Sequence, residues 1–411
     1  MKSSLIKRLP GMSDIQQDER TRVNETSEAV RVFLEELGYD LIDTPILEDA
    51  ELFVRKSGGE LTRQMFTFTD LGGHRITLRP EFTSSVIRHF IEKSEDISLP
   101  VRWQYSGPVF RYQPGNKVLY SQFNQVGSEL IGVGGIDADA EVLSIACNGL
   151  QKIGVLNFLV RIGHVGVLND ALNIFGISER AKMFIISNVM PLKDGDVSID
   201  DLISQASDVG LIRSVEEQSL SNGENLDIVK NAKETRDKIL SEISDLTGRR
   251  TPDEIVDRLF RKIRQYDNQD IFEKAIRFVK DISKIEGAPD KALQEASQIF
   301  TDYKKHSPSL TNTKNLMTLL VEKTGLKNSQ IRLDFGFARG LTYYTGMIFE
   351  ITNPSSEALC GGGRYDSLVK SLGGNNIPAS GFAYTLDQVI FELNNKDNTP
   401  TNISHSDPVE K

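Results

Sequence analysis

The strongest constraint in this chain is a pair of long apolar runs, Val101–Tyr112 and Ser121–Ile131, separated by a polar stretch containing Pro114 and Gly115. Two strands so joined pair antiparallel, because the gap is too short for the crossover that parallel pairing needs. A second, smaller hairpin is expected between Gln64 and Leu78, where alternation around Met65, Phe66 and Phe68 meets the Gly72–Gly73 turn. Further strands are expected at Tyr39–Ile42, Asn157–His164, Gln330–Phe335, Met347–Thr352 and Ser380–Tyr384. Helical spacing marks Asp18–Leu37, stopped by Gly38, then Glu81–Phe90 after Pro80, Asp137–Ile153 and Leu386–Leu393. Hairpin-linked strands with helices between them imply an α+β fold, an antiparallel sheet flanked by helices.

From Gly166 to Lys327 the pattern changes to Leu, Ile, Lys, Glu, Asp and Ser at helical period, with little strand alternation. This divides the chain into a discontinuous core, 1–168 and 328–393, and a mostly helical insertion, 169–327. Its charged helices are most simply solvated faces and secondarily a partner surface. The polar segment Asn394–Lys411, with Pro400 and Pro408, is expected to be a disordered tail.

Among 411 residues, 39% are hydrophobic and 26% charged, a composition that excludes global disorder. Asp plus Glu number 58 against 48 Lys plus Arg, so a net charge of -10 disfavours an extended nucleic-acid surface. Cys147 and Cys360 form no CxxC pair, and the five histidines show no metal-ligand spacing, so no metal site is expected. With no signal-like start and no apolar run of membrane-spanning length, a cytoplasmic location is expected.

The usual phosphate cradles, GxxxxGKS/T and GxGxxG, are missing. A bound nucleotide would have to lie on a sheet surface gripped by arginines, which directs attention to Arg111 and Arg339. In TLRPEFTSSVIR, Glu81 and Thr83 stand where a strand hands over to a helix. They could cap that helix or receive an ammonium group. Gln125 and Glu129 are separated by an even step, so their side chains share one sheet face, either an ordinary solvated face or a polar floor for an amine or imidazole. In RGLTYYTGMIFE, Arg339 could clamp a carboxylate or phosphate, while Tyr343 and Tyr344 could offer hydroxyls or pack. The glycines of CGGGRYD permit close backbone approach.

In this order TLRPE, FRYxP, QFNQVGSELIG, RGLTYYTGMIFE, GGGRYDSL and PASGFAYTLDQ resemble the class II histidyl-tRNA synthetase core, and LPGMSDI with YDLIDTPILEDAELF resembles its dimer-forming first motif. The resemblance covers roughly 9–168 and 328–393. It implies an antiparallel sheet carrying histidine and ATP, with self-association through the N-terminal motif. By residue-wise matching, Glu81, Thr83, Gln125 and Glu129 would hold the histidine amino and imidazole groups, and Tyr343 and Tyr344 would line the pocket. Arg339 would contact the histidine carboxylate, and Arg111 the ATP α-phosphate.

The departures fall on the ATP side. Where the third motif ends in a Glu-Arg pair, this chain has Asp387 and Gln388, and a neutral amide cannot replace the arginine charge. The second-motif loop offers only Lys117, Phe82 stands where glycine is usual, and Thr342 replaces an acidic residue. The chain given also stops where a synthetase would continue into an anticodon-binding domain. This combination resembles the regulatory subunits of ATP phosphoribosyltransferase. That resemblance implies a non-catalytic histidine sensor for the first step of histidine biosynthesis, paired with a short-form catalytic subunit in a hetero-octamer. It implies no cofactor, no tRNA and no membrane as partner. The alternative is a histidine-activating enzyme, a histidyl-tRNA synthetase without the anticodon domain.

Overall fold

The computed structural model describes residues 6–55, 58–112, 121–213, 266–338 and 343–397. The two long apolar runs pair antiparallel as Val101–Phe110 and Gln122–Ile131, in register from Val101 opposite Ile131 to Phe110 opposite Gln122. They seed a nine-stranded sheet in the spatial order Asp40–Leu41, Val101–Phe110, Gln122–Ile131, Ala379–Thr385, Ala358–Arg364, Met347–Thr352, Leu159–His164, Ile331–Asp334 and Glu286–Gly287. Its body is antiparallel, as expected. Two pairings toward its edges are parallel, Asp40–Leu41 on Val101–Phe110 and Ile331–Asp334 on Leu159–His164. Both join segments separated by long stretches of chain that include helices, the condition parallel pairing requires. The smaller hairpin, Thr67–Thr69 with Arg75–Leu78, lies in a separate three-stranded sheet beside Leu47–Asp49.

Ala358–Arg364, near the middle of the sheet, was not expected as a strand because its glycines carry no strand propensity. Close approach explains them. A Cβ on Gly362 would lie 2.4 Å from the Gly381 carbonyl oxygen and 2.7 Å from the Phe349 ring.

Behind the sheet, Gln17–Glu36 buries Val23, Val30 and Leu34, while Ile136–Lys152 buries most of its length. Small residues let the second helix sit close: a Cβ on Gly149 would fall 2.3 Å from the Tyr384 hydroxyl oxygen. Each fully buried Leu or Val here contributes about 1.5–3 kcal/mol. The same apolar cluster continues into Phe272, Phe278 and Phe300, so the described part of 169–327 shares the core of the sheet. In front, Phe82, Val86, Ile87 and Phe90 pack on Trp103, Val109 and Phe123 as a second cluster.

The described residues between 165 and 327 are mostly helical. Glu179–Ser187, Ile199–Asp208, Gln269–Ser283 and Pro308–Thr324 start at side-chain caps from Ser178, Ser198, Asn268 and Ser307. The last helix, Leu386–Asp397, runs past Leu393 into the stretch expected as tail. Arg22 donates to Asn394 Oδ1 at 2.8 Å, a tie to the first helix that the local polarity does not reveal. The rest of the expected tail, from residue 398, lies outside the described residues, as does 214–265. Among the described residues no helix is long and apolar enough to cross a membrane, and no acidic, His or Cys group could hold a metal ion.

Candidate ligand-binding site

Alternation along Gln122–Ile131 sends Gln125, Gly127 and Glu129 to the front of the sheet, and the hairpin register sets Tyr105 opposite Gly127. Glycine is required there, because a Cβ would meet the Phe382 carbonyl oxygen at 2.3 Å and the Tyr105 hydroxyl at 2.6 Å. Above this floor stand Glu81 and Thr83 from the helix start, Tyr343 and Tyr344 from the segment before Met347–Thr352, and Arg111 just past Phe110. Together they line one cleft of about 190 Å³. At about 30 Å³ of liquid volume per water that is room for about six waters, the scale of an amino acid.

Glu129 lies behind the cleft wall, fully buried. Thr83 donates to its Oε1 at 2.7 Å and Tyr105 to the same oxygen at 3.1 Å, while Tyr365 donates to Oε2. Burial pushes the Glu129 carboxyl up to about 8, against the lowering effect of these hydroxyls. Its backing is tight, since a Cβ on Gly381 would fall 1.6 Å from Glu129 Oε2. The solvated-face reading of Gln125 and Glu129 is therefore excluded: both are buried on the cleft side. Glu129 presents itself through the hydroxyls of Thr83, Tyr105 and Tyr365.

Glu81 bears out the capping reading and also faces the cleft. Its oxygens accept from the Ser84 N–H at 3.1 and 3.2 Å, holding the first turn of Thr83–Lys93, and the residue still lines the cleft. Burial raises its carboxyl, opposed in part by the nearby Arg111 guanidinium. Arg111 donates through Nε to the Pro80 carbonyl at 2.8 Å, which fixes it beside the strand-to-helix turn. Acceptors at Glu81 and Gln125 with a cation at Arg111 suit a zwitterion or a phosphate-bearing ligand. Tyr343 is buried and packs edge-on to Tyr365 at 5.7 Å, and Tyr344 lies beside it at 4.9 Å.

Phe82 has both ring faces covered, by Tyr105 stacked at 4.4 Å and by the Arg79 guanidinium at 3.9 Å. It offers the ligand only an edge. Arg79 in turn is fully buried and donates to the Pro108 and Thr44 carbonyls. Asp387 is structural, its Oδ2 accepting from the Asn124 N–H at 2.6 Å. Gln388 is buried, does not line the cleft, and leaves Oε1 without a hydrogen-bond partner among the described residues. Arg339, Thr342 and Lys117 lie outside the described residues.

The sequence reading missed Tyr105, Tyr365 and Gly381. Tyr105 was reachable in principle from hairpin parity, given the register; Tyr365 and Gly381 join the site only through sheet pairing.

The family model described as Histidyl-tRNA synthetase matches residues 11–247 and 207–389. The histidine–tRNA ligase of Methanocaldococcus jannaschii is 29% identical over 388 residues, 94% of this chain and 76% of that protein. The one from Methanococcus vannielii is 30% identical over 366 residues, 89% of this chain and 70% of that protein. A solved structure from Bacillus halodurans, described as an ATP phosphoribosyltransferase regulatory subunit/histidyl-tRNA synthetase, aligns with a TM-score of 0.65 at 21% identity, covering 95% of this chain and 84% of that one. A histidine–tRNA ligase subunit from Alicyclobacillus acidocaldarius aligns at 0.60 and 20% identity, covering 97% of this chain and 100% of that one.

Proposed function

The chain belongs to the histidyl-tRNA synthetase family, and from that premise we propose that it is a histidine-sensing regulatory subunit of ATP phosphoribosyltransferase with no adenylation activity of its own. The observation that carries this reading is the asymmetry of the site. Glu81, Thr83, Gln125, Tyr343 and Tyr344 gather around one cleft with Glu129 behind them. At the position where the family places its γ-phosphate arginine stands Gln388, neutral and outside the cleft lining. In this reading Glu81, Thr83 and Gln125 hold the amino and imidazole groups of histidine, with Glu129 acting on them through the hydroxyls it accepts from, Arg339 holds its carboxylate, and Arg111 is a residual phosphate contact. The core 1–168 and 328–393 carries the site and 169–327 is an insertion. The partner is the short-form catalytic subunit, self-association runs through the N-terminal motif, and tRNA is not a ligand. Feedback requires that histidine bind the active and inhibited assemblies unequally, since equal affinity shifts nothing. The description of the Bacillus halodurans neighbour, which joins both roles, supports the proposal.

A histidine-activating enzyme is the second reading, favoured by the relatives named histidine–tRNA ligase and by Arg111 in the cleft. Histidine-dependent exchange between ATP and pyrophosphate on the purified protein separates the two. No exchange, with histidine bound by calorimetry and restraining the activity of a reconstituted phosphoribosyltransferase, supports the sensor; robust exchange replaces it with the enzyme.

A further inference from the structure

Asp334 ends the strand Ile331–Asp334 and is completely buried. Its carboxylate accepts from Arg161 Nε at 2.9 Å, from Lys193 Nζ at 2.8 and 2.9 Å, and from the Gly336 N–H at 2.9 Å. A buried carboxylate held by two cations and a backbone amide has one allowed position, because leaving either cation or acceptor unpaired in a dry site is unfavourable.

The turn that follows is gripped on all sides. Phe337 N–H donates back to the Asp334 carbonyl at 3.1 Å, and Phe335 N–H to the Ile285 carbonyl at 3.2 Å. A Cβ on Gly336 would fall 2.4 Å from the Ser283 carbonyl oxygen and 2.6 Å from Lys193 Cδ. The Arg161 guanidinium lies 4.6 Å from the Phe337 ring centre. Lys193 also pairs with Glu286 at 2.6 Å, which pairs with Arg332 at 2.6 Å, so five charges of alternating sign run through the turn's root. Lys193, Ser283, Ile285 and Glu286 all belong to the segment 169–327.

The turn reaches the cleft through packing. Phe337, Val165 and Ile348 form a small apolar cluster, and two more side chains pack on it: Ile186, again from 169–327, and Tyr344, which lines the cleft.

We propose that Asp334 is a positioning residue for the cleft, clamping the turn Asp334–Phe337 between Arg161 and Lys193 so that the placement of the helices Val189–Asp194 and Gln269–Ser283 sets the placement of the tyrosine wall. This rests on the cleft being the ligand site, and not on the ligand being histidine. Lys193 is the informative position, since it does not line the cleft.

Hydrogen exchange on the full chain tests it with Lys193→Met and Lys193→Arg. Lys193→Met is expected to speed exchange at the Thr345 to Ile348 amides about tenfold, the scale of coupling through packed networks. The hairpin Val101–Ile131 should keep its wild-type rates, and Lys193→Arg should restore protection near the cleft. Wild-type rates at Thr345 to Ile348 in Lys193→Met overturn the proposal. So does a uniform rise that includes the hairpin, which marks a role in global stability only. Calorimetry with histidine supplies the second readout, with affinity about tenfold weaker in Lys193→Met and recovered in Lys193→Arg. Absence of histidine binding by the wild-type chain refutes the histidine reading while leaving the exchange result to decide the coupling.

Discussion

Thr83 opens the helix Thr83–Lys93, and its hydroxyl donates across 2.7 Å to Glu129 Oε1 on the strand Gln122–Ile131. This one bond ties the helix start that presents Glu81 to the sheet face that presents Gln125. With Tyr105 and Tyr365 also donating to Glu129, the carboxyl is the acceptor around which three elements are arranged.

Removing that acceptor leaves buried hydroxyls unpaired. Glu129→Ala is expected to lower stability by about 1–3 kcal/mol in urea denaturation and to weaken histidine binding at least tenfold. Gln125→Ala, which touches none of those hydroxyl bonds, should weaken histidine binding with little loss of stability. Unchanged calorimetric affinity in both variants would place the ligand elsewhere.

The Glu129 carboxyl, moved by burial from 4.5 to about 8, also predicts a pH dependence. Between those values the unfolded chain has released the proton and the folded chain still holds it. Stability from this group is therefore full below about pH 4.5 and declines as pH rises toward 8. Glu129→Gln should flatten that decline in melting curves taken across the window. An identical slope in wild type and variant would mean that the carboxyl ionises freely in the folded protein.

Gly381→Ala places a methyl 1.6 Å from Glu129 Oε2, with the Ser128 carbonyl at 2.6 Å blocking retreat. A loss of about 3 kcal/mol or more is expected, at the upper end of overpacking, together with lost histidine affinity. A variant that melts at the wild-type temperature would show that the Glu129 carboxyl has freedom the packing denies it.

Gln388→Arg alone is not expected to produce histidine-dependent exchange of ATP with pyrophosphate. Position 388 is only one of the departures on the ATP side, and the second-motif loop would still offer only Lys117 as a cation for the phosphates. Measurable turnover in that single variant would overturn this.

Much of the site was legible because parity survives translation into three dimensions. An even step put Gln125 and Glu129 on one face, and the Pro80 break put Glu81 and Thr83 at a helix start. What was illegible depended on neighbours far along the chain. The glycines of Ala358–Arg364 were read as permitting close approach, but only sheet pairing showed that they form a strand and that what approaches is the Phe349 ring and the Gly381 backbone. Phe82 was noted only as standing where glycine is usual, and nothing in the sequence indicated that Arg79 and Tyr105 cover both its faces.

Local pattern by itself determined the hairpin Val101–Ile131, the flanking helices and the polar character of Gln125 and Glu129, because alternation and helical period are properties of adjacent residues. Only the tertiary structure decided that Glu129 is buried behind hydroxyls, that Gln388 stands apart from the cleft, and that Asp334 meets Lys193 across 141 positions of chain. Burial and pairing depend on what the rest of the fold brings within a few ångströms, and sequence spacing carries no measure of that distance.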